Sequence, residues 1–154
     1  MMKISDEGLE IIKDSEGLRL NAYLDTKKGR VPTIGYGHTR GVTMGMTTTE
    51  AQAHRWLQED VAVAEDIVRR FVTVPLAQGA FDALVSFAFN VGQSQFTNST
   101  LRRLLNEGDY IGASNEFQRW IYDNGVKLNG LITRRERERQ EFIFYPGFKD
   151  DRNF

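Results

Sequence analysis

The N-terminal third of the chain changes from a helical to an alternating pattern of hydrophobic positions. Apolar residues first recur on one helical face between Ser5, a suitable N-cap, and Gly17, a suitable stop. Over residues 18–39 the hydrophobic period then shortens to two. The pattern predicts a helix over residues 5–16 and a sheet of two or three strands, with a further short strand or a loop over residues 42–46.

The central stretch keeps a helical period over a much longer distance. Thr47 and Glu50 are spaced as a capping box, and apolar residues then recur at helical spacing as far as Phe71, before Pro75. This pattern predicts one helix over about residues 48–72. A helix of that length after a small sheet is suited to form a spine between two lobes.

The C-terminal half is predicted to be helical. The expected helices cover residues 78–90, 99–106, 110–120 and 132–142, and turns containing glycine separate them. The first of these helices is apolar nearly all round, which is typical of a core helix. We therefore predict an α+β chain forming a single domain over residues 1–154. Its parts are a small lobe at about 17–47, the spine helix, a helical lobe at about 75–145 that the N-terminal helix joins, and an extended tail at 145–154.

Composition excludes several classes of protein. Of the 154 residues 40% are hydrophobic and 27% are charged, and no apolar run approaches the roughly 20 residues of a membrane span, so no membrane insertion is expected. The formal net charge of −1 argues against a nucleic-acid partner, because such domains are usually basic. Without cysteines, and with only His38 and His54, the chain is expected to need no metal or other cofactor.

Two carboxylates bracket the first predicted strand. Glu16 falls in the last turn of a helix, where the negative end of the helix dipole favours the protonated form that a general acid needs. Asp25 precedes a polar turn and is expected to stay ionised. A proton donor and an anion are the pair that glycoside hydrolysis requires. Both could instead be ordinary surface residues, since carboxylates are common at helix ends and turns.

Motifs around these carboxylates favour a catalytic pair over two ordinary surface residues. The segment EGLRLNAYLD over residues 16–25, followed by G-x-x-P-T-I-G-Y-G-H-T over residues 29–39, resembles the phage-type lysozymes of glycoside hydrolase family 24. The resemblance continues at residues 87–92, 96–100 and 119–120, and thus covers nearly the whole chain. It implies a two-lobed lysozyme-like fold in which Glu16, Asp25 and Thr33 are catalytic. The interval between Asp25 and Thr33 is two residues longer than the family usually has, so the hairpin tip must absorb them.

The same resemblance implies further site residues. The residues expected to bind substrate are His38, Thr39, Phe89, Ser99 and Ser114. Phe89 could equally belong to the core, and Trp120 is assigned to the core. His38 is expected to pair with Asp60 on the spine helix.

The resemblance also implies a role for two arginines near the C-terminus. Arg134 is expected to pair with Glu16, and Arg137 lies one helical turn further on the same face, so both side chains are expected to point under the cleft. An arginine beside Glu16 would favour its ionised form and oppose the effect of the helix end. The alternative is that the basic run over residues 134–139 is a solvated surface.

The function implied by the resemblance is hydrolysis of bacterial peptidoglycan for host lysis by a phage or prophage. The bond would be the β-1,4 bond between N-acetylmuramic acid and N-acetylglucosamine, and the protein would act as a monomer. The opening MMKISDEG lacks the apolar core of a signal peptide. We therefore expect the enzyme to stay in the host cytoplasm until a holin-type lesion permeabilises the membrane.

Three alternative functions remain at this stage. A lytic transglycosylase would cut the same bond without water, although a catalytic Asp25 argues against it. A non-catalytic wall-binding module could keep the fold after losing activity. A basic helical interaction module using residues 134–139 is disfavoured by the near-neutral overall charge.

Overall fold

The computed structural model describes residues 1–26 and 29–144. Residues 27–28 of the predicted turn over residues 26–29, and the predicted tail at 145–154, lie outside the described residues. The elements are, in order, α1 (Asp6–Glu16), β1 (Arg19–Asp25), β2 (Val31–Gly35), α2 (Glu50–Phe71), α3 (Gln78–Val91), α4 (Gln93–Thr97), α5 (Thr100–Asn106), α6 (Tyr110–Glu116), β3 (Tyr122–Asp123), β4 (Val126–Lys127) and α7 (Asn129–Ile143). The small sheet and the predominance of helices confirm the predicted α+β class.

Helix α1 begins and ends at the predicted residues. The Ser5 side chain accepts a hydrogen bond from the Gly8 backbone N–H, which caps the helix at its start. At the other end Gly17 has a φ of 71°, and its N–H donates to the Lys13 carbonyl. Glycine adopts this left-handed conformation at little cost, so the helix stops with Glu16 as its last residue.

Strands β1 and β2 form an antiparallel pair. Tyr23 lies opposite Thr33, and Asp25 lies opposite Val31. An isolated bridge also joins Asn21 of β1 to Thr47. Residues 42–46, for which a strand or a loop was predicted, form a loop.

Helix α2 joins the sheet to the helical part of the chain. It runs over 22 residues, inside the predicted spine, and contacts both β2 and α3. Its N-cap is Thr49, whose side chain accepts from the Gln52 N–H, so the predicted capping box from Thr47 is wrong. The reason is that Thr47 and Thr48 pair with the sheet, leaving the helix to start two residues later.

Helix α3 is the central core helix, as its apolar sequence predicts. It packs against α1, α2 and α7. The Phe87 ring lies in its middle and makes edge-to-face contacts with Phe96, Phe117 and Trp120 at centroid distances of 5.4–6.1 Å. These contacts fix α3 against the segment that leads into α7.

Two short elements were not predicted from the pattern of the sequence. Helix α4 follows α3 directly, and the hairpin of β3 and β4 comes just after the helix predicted over residues 110–120. That helix gives way to a 3-10 turn at Phe117–Arg119, and the hairpin then turns through Asn124 and Gly125, which have φ values of 49° and 79°. Among the described residues, no helix is both long enough and apolar enough to span a membrane.

Candidate active site

A cleft of about 480 Å³ lies where α1 and β1 face the helical part of the chain. Glu16, Tyr23 and Asp25 line it from one side. The opposite side is built from the end of α3, the β3–β4 hairpin and the start of α7. The two carboxylates predicted to be catalytic therefore share one cleft.

The Glu16 side chain lines this cleft and is largely buried. Only 12% of it is exposed to solvent. Its Oε1 atom lies 3.6 Å from Nη1 of Arg134, so the structure brings together the two residues of the predicted pair. On another side the Gly37 backbone lies so close that a Cβ atom there would be 3.0 Å from Oε2.

Arg134 is buried beneath Glu16 and has several partners. Its Nε donates to Oε2 of Glu138 at 3.3 Å, and its Nη2 donates to the Ser86 carbonyl at 3.1 Å. The guanidinium is therefore anchored from below by α3 and by its own helix, with one nitrogen facing Glu16. The alternative that the basic run is entirely solvated is wrong for Arg134 and for Arg135, which is also buried.

Asp25 and Tyr23 occupy the strand side of the cleft. Asp25 is the last residue of β1 and is partly buried. Burial, followed by the charges of Asp25 and Glu16, raises the pKa of Tyr23, and the Arg19 guanidinium 4.2 Å from its ring centroid opposes this. The phenol therefore stays protonated at neutral pH and can donate a hydrogen bond inside the cleft.

Thr33, the third predicted catalytic residue, is fully buried on β2. Its Oγ1 donates to the Val31 carbonyl at 2.8 Å. It lies opposite Tyr23 in the strand register, but it is not among the described residues that line the cleft. The structure thus places Thr33 next to the site rather than in its wall.

His38 and Asp60 form the predicted pair. His38 Nδ1 lies 2.7 Å from Oδ2 of Asp60, and the imidazole stacks on Trp56 with an interplanar angle of 4°. This arrangement ties the turn after β2 to α2. Neighbouring Thr39 is exposed.

None of the five predicted substrate-binding residues is among the described residues that line this cleft. Ser99 caps α5, where its Oγ accepts from the Arg102 N–H and donates to the Phe96 carbonyl. Ser114 is buried and donates to the Ile111 carbonyl. Phe89 is partly buried and packs against the core.

The prediction that Arg137 points under the cleft is wrong. Its side chain is 40% exposed and forms a salt bridge of 3.0 Å with Asp14. Residues three apart on a helix differ by about 60° in direction, which is enough to carry Arg137 to the outer surface. Trp120 has two roles, because it packs on Phe87 and also lines the cleft.

Sequence reasoning missed Arg135 and Glu138. Both are buried in α7, and they form a salt bridge with each other. Arg135 also donates to the Trp120 carbonyl and to Oδ1 of Asn90, and its guanidinium lies 5.1 Å from the Phe87 ring centroid. The available signal was the i, i+3 and i, i+4 spacing of Glu138 from two arginines, which also occurs on exposed helices.

The sequence as a whole matches a known family. The family model described as phage lysozyme matches residues 13–138, a range that includes the last turn of α1, both strands of the first sheet and most of α7. The chain belongs to the phage lysozyme family. It is 44% identical over 145 residues to the endolysin of Acyrthosiphon pisum secondary endosymbiont phage 1, an alignment covering 92% of this chain and 98% of that endolysin.

Solved structures agree with this membership. The endolysin from Escherichia coli O157:H7 phage FAHEc1 superposes with a TM-score of 0.84 at 37% identity, covering 94% of this lysozyme and 97% of that chain. The muramidase domain of SpmX from Asticaccaulis excentricus gives a TM-score of 0.87 at 37% identity, with coverages of 94% and 100%. The phage lysozyme described here is accordingly a lysozyme-type glycoside hydrolase that acts on peptidoglycan.

Proposed function

We propose that this phage lysozyme hydrolyses the β-1,4 bond between N-acetylmuramic acid and N-acetylglucosamine, with Glu16 as the general acid. The observation that carries the proposal is the position of Glu16, which is largely buried at the end of α1 in a cleft shared with Asp25. Two carboxyl groups in different surroundings on one cleft are what glycosidic bond cleavage needs.

In the proposed mechanism Glu16 donates its proton to the glycosidic oxygen as the bond breaks. Asp25, the last residue of β1, stabilises the positive charge that develops on the sugar ring or orients the attacking water. Arg134 presents one guanidinium nitrogen to the Glu16 carboxyl group at 3.6 Å. The reaction adds one water across the bond and requires no cofactor.

The proposed part of Thr33 in holding the attacking water stays a prediction, because Thr33 is fully buried beside the cleft in this conformation. Its hydroxyl proton is already donated to the Val31 carbonyl, so toward a water the oxygen would act as a hydrogen-bond acceptor. Substrate contacts by His38, Thr39, Phe89, Ser99 and Ser114 stay predictions.

The products of digestion test the bond and the reaction. Purified peptidoglycan would be digested, reduced with borohydride and analysed by mass spectrometry. Hydrolysis at the proposed bond predicts muropeptides ending in reduced muramic acid. Products lighter by one water would identify a transglycosylase instead, and reduced glucosamine ends would identify cleavage at the other glycosidic bond.

We propose further that the enzyme acts as a monomer and is released by a holin-type membrane lesion. The test is fractionation of expressing cells before and after permeabilisation of the inner membrane. Accumulation in the cytoplasm until permeabilisation supports this route. Enzyme in the periplasm of intact cells would contradict it.

A further inference from the structure

A buried group of charges lies directly beneath the catalytic cleft. Glu138 is completely buried, with 0% of its side chain exposed, and accepts a hydrogen bond of 2.6 Å from the Ser86 hydroxyl. Its two carboxylate oxygens face two arginines of the same helix: Oε2 faces Arg134 and Oε1 faces Arg135. Nothing in the proposed chemistry uses Glu138, yet an ionised carboxylate is costly to bury unless its partners fix it in place.

Arg134 connects this buried group to the proposed acid. Its guanidinium is 3.3 Å from Glu138 and 3.6 Å from Glu16, and a third contact of 3.1 Å joins it to the Ser86 carbonyl. Direct arginine–carboxylate hydrogen bonds are shorter, at about 2.7–2.9 Å. The guanidinium therefore stands between two carboxylates and is held tightly by neither.

The charged and titratable groups around Glu138 and Glu16 come from α7 and β1. Glu138 offsets Arg135, whose pKa is lowered by burial while Glu138 acts in the opposite direction. Arg134 of α7 faces Glu16. Tyr23 and Asp25 of β1 share the cleft with Glu16. With Glu138 removed, Glu16 would be the remaining carboxylate within ion-pair distance of Arg134 among the described residues.

We propose that Glu138 is a positioning residue for the acid: by sharing the Arg134 guanidinium, it limits how closely that cation approaches Glu16. This inference rests on the proposed role of Glu16. A closer cation would stabilise the ionised form of Glu16 and withhold the proton that the reaction needs. Glu138 thus keeps the acid able to donate over a wider range of pH.

The test is a double variant, Arg135→Met with Glu138→Leu. Removing one member of a buried ion pair usually unfolds or strongly destabilises a protein, whereas replacing both with apolar residues of similar volume is tolerated. In the double variant kcat should decline on the alkaline side of its pH profile at a pH about one unit lower than in the wild type, and KM should change little. Loss of the Arg135 charge alone would shift the profile in the opposite direction.

Two comparisons make the test specific. The matched control is Arg103→Met with Glu107→Leu, which removes an exposed i, i+4 pair with the same chemistry and should leave the profile unchanged. The second comparison repeats the double variant in an Arg134→Met background. If Glu138 acts through Arg134, the shift to lower pH is lost in that background, and only the opposite effect of losing the Arg135 charge remains.

A second variant and a second measurement complete the design. Ser86→Ala removes the hydroxyl that donates to Glu138 and that also accepts a hydrogen bond of 3.4 Å from Nη2 of Arg134. Both losses loosen the hold on Arg134 from below, so the profile should move in the same direction by a smaller amount. The titration of the Glu16 side chain, followed by ¹³C NMR, should move with the profile.

An unchanged profile in the folded double variant, or an equal shift without Arg134, would overturn the inference. A shift of the NMR titration alone, with Glu16→Gln still active, would instead show that the charge contact is right and that Glu16 is not the acid.

Discussion

Replacing Gly37 with alanine should reduce activity far more than its effect on stability explains. Gly37 has a φ of 77° and lies against the Glu16 carboxyl group. A Cβ atom built there would be 3.0 Å from Oε2 and 3.1 Å from Cδ of Glu16. These distances are too short unless the backbone or the carboxyl group moves by a few tenths of an ångström. Because the Glu16 side chain is the nearest contact, we expect the carboxyl group to be displaced.

Gly41 supplies a matched control for the backbone effect. Its φ of 72° is nearly the same, but a Cβ atom there would meet nothing within 4 Å. Alanine in this conformation costs about 1–2 kcal/mol at either position. For a chain of this size that cost lowers Tm by about 3–6 °C.

Activity should separate the two variants. A misplacement of about 1 Å at a catalytic group can cost about 100-fold in rate, so a few tenths of an ångström predicts a loss of about three- to tenfold for Gly37→Ala. Gly41→Ala should clear permeabilised Gram-negative cells at close to the wild-type rate. Equal clearing rates for the two variants, measured well below their melting temperatures, would refute the proposed contact.

Three further changes are predicted from the same structure. Arg134→Met keeps bulk but removes the buried cation, so it should lower the free energy of unfolding by about 3 kcal/mol near neutral pH and alter the pH profile of wall clearing. The control, Arg137→Met, removes an exposed cation and should have neither effect. Asp60→Asn weakens the contact to its buried histidine partner and should lower Tm by about 4–8 °C, with Arg40→Met as the control that removes only an exposed contact. Burial and nearby carboxylates raise the pKa of Glu141 in the folded state, so its ionised form destabilises the fold above the unfolded-state value of about 4.3. Glu141→Gln should therefore raise Tm by about 1–2 °C at pH 7 in thermal melts, and this gain should vanish at pH 3.

The parts of the fold that sequence predicts well depend on local signals. Ser5 and Gly17 define α1 through capping and backbone conformation, and these act within a few residues. The end of α1 in turn places Glu16 at the cleft. The long apolar period of α2 is equally local, which is why the predicted spine agrees with the structure to within two residues at its start and one at its end.

The misses have tertiary causes. Helix α4 and the β3–β4 hairpin are too short to carry a reliable periodic pattern, and packing around Phe96 and Trp120 stabilises them. Ser99 caps α5, a structural role that its motif did not indicate. Arg135 and Glu138 stand in a run that looks solvated, and their burial follows from the aromatic surface and carbonyls that α3 and Trp120 present.

The central claim is that Glu16 donates the proton, and Glu16→Gln tests it most directly. The amide preserves the shape of the side chain and removes the transferable proton. The measurement is the rate of turbidity clearing of permeabilised Gram-negative cells, with circular dichroism and Tm confirming that the variant is folded. The account predicts a loss of about 100-fold to 10,000-fold with the fold intact. Clearing at a near-normal rate by the folded variant would contradict it.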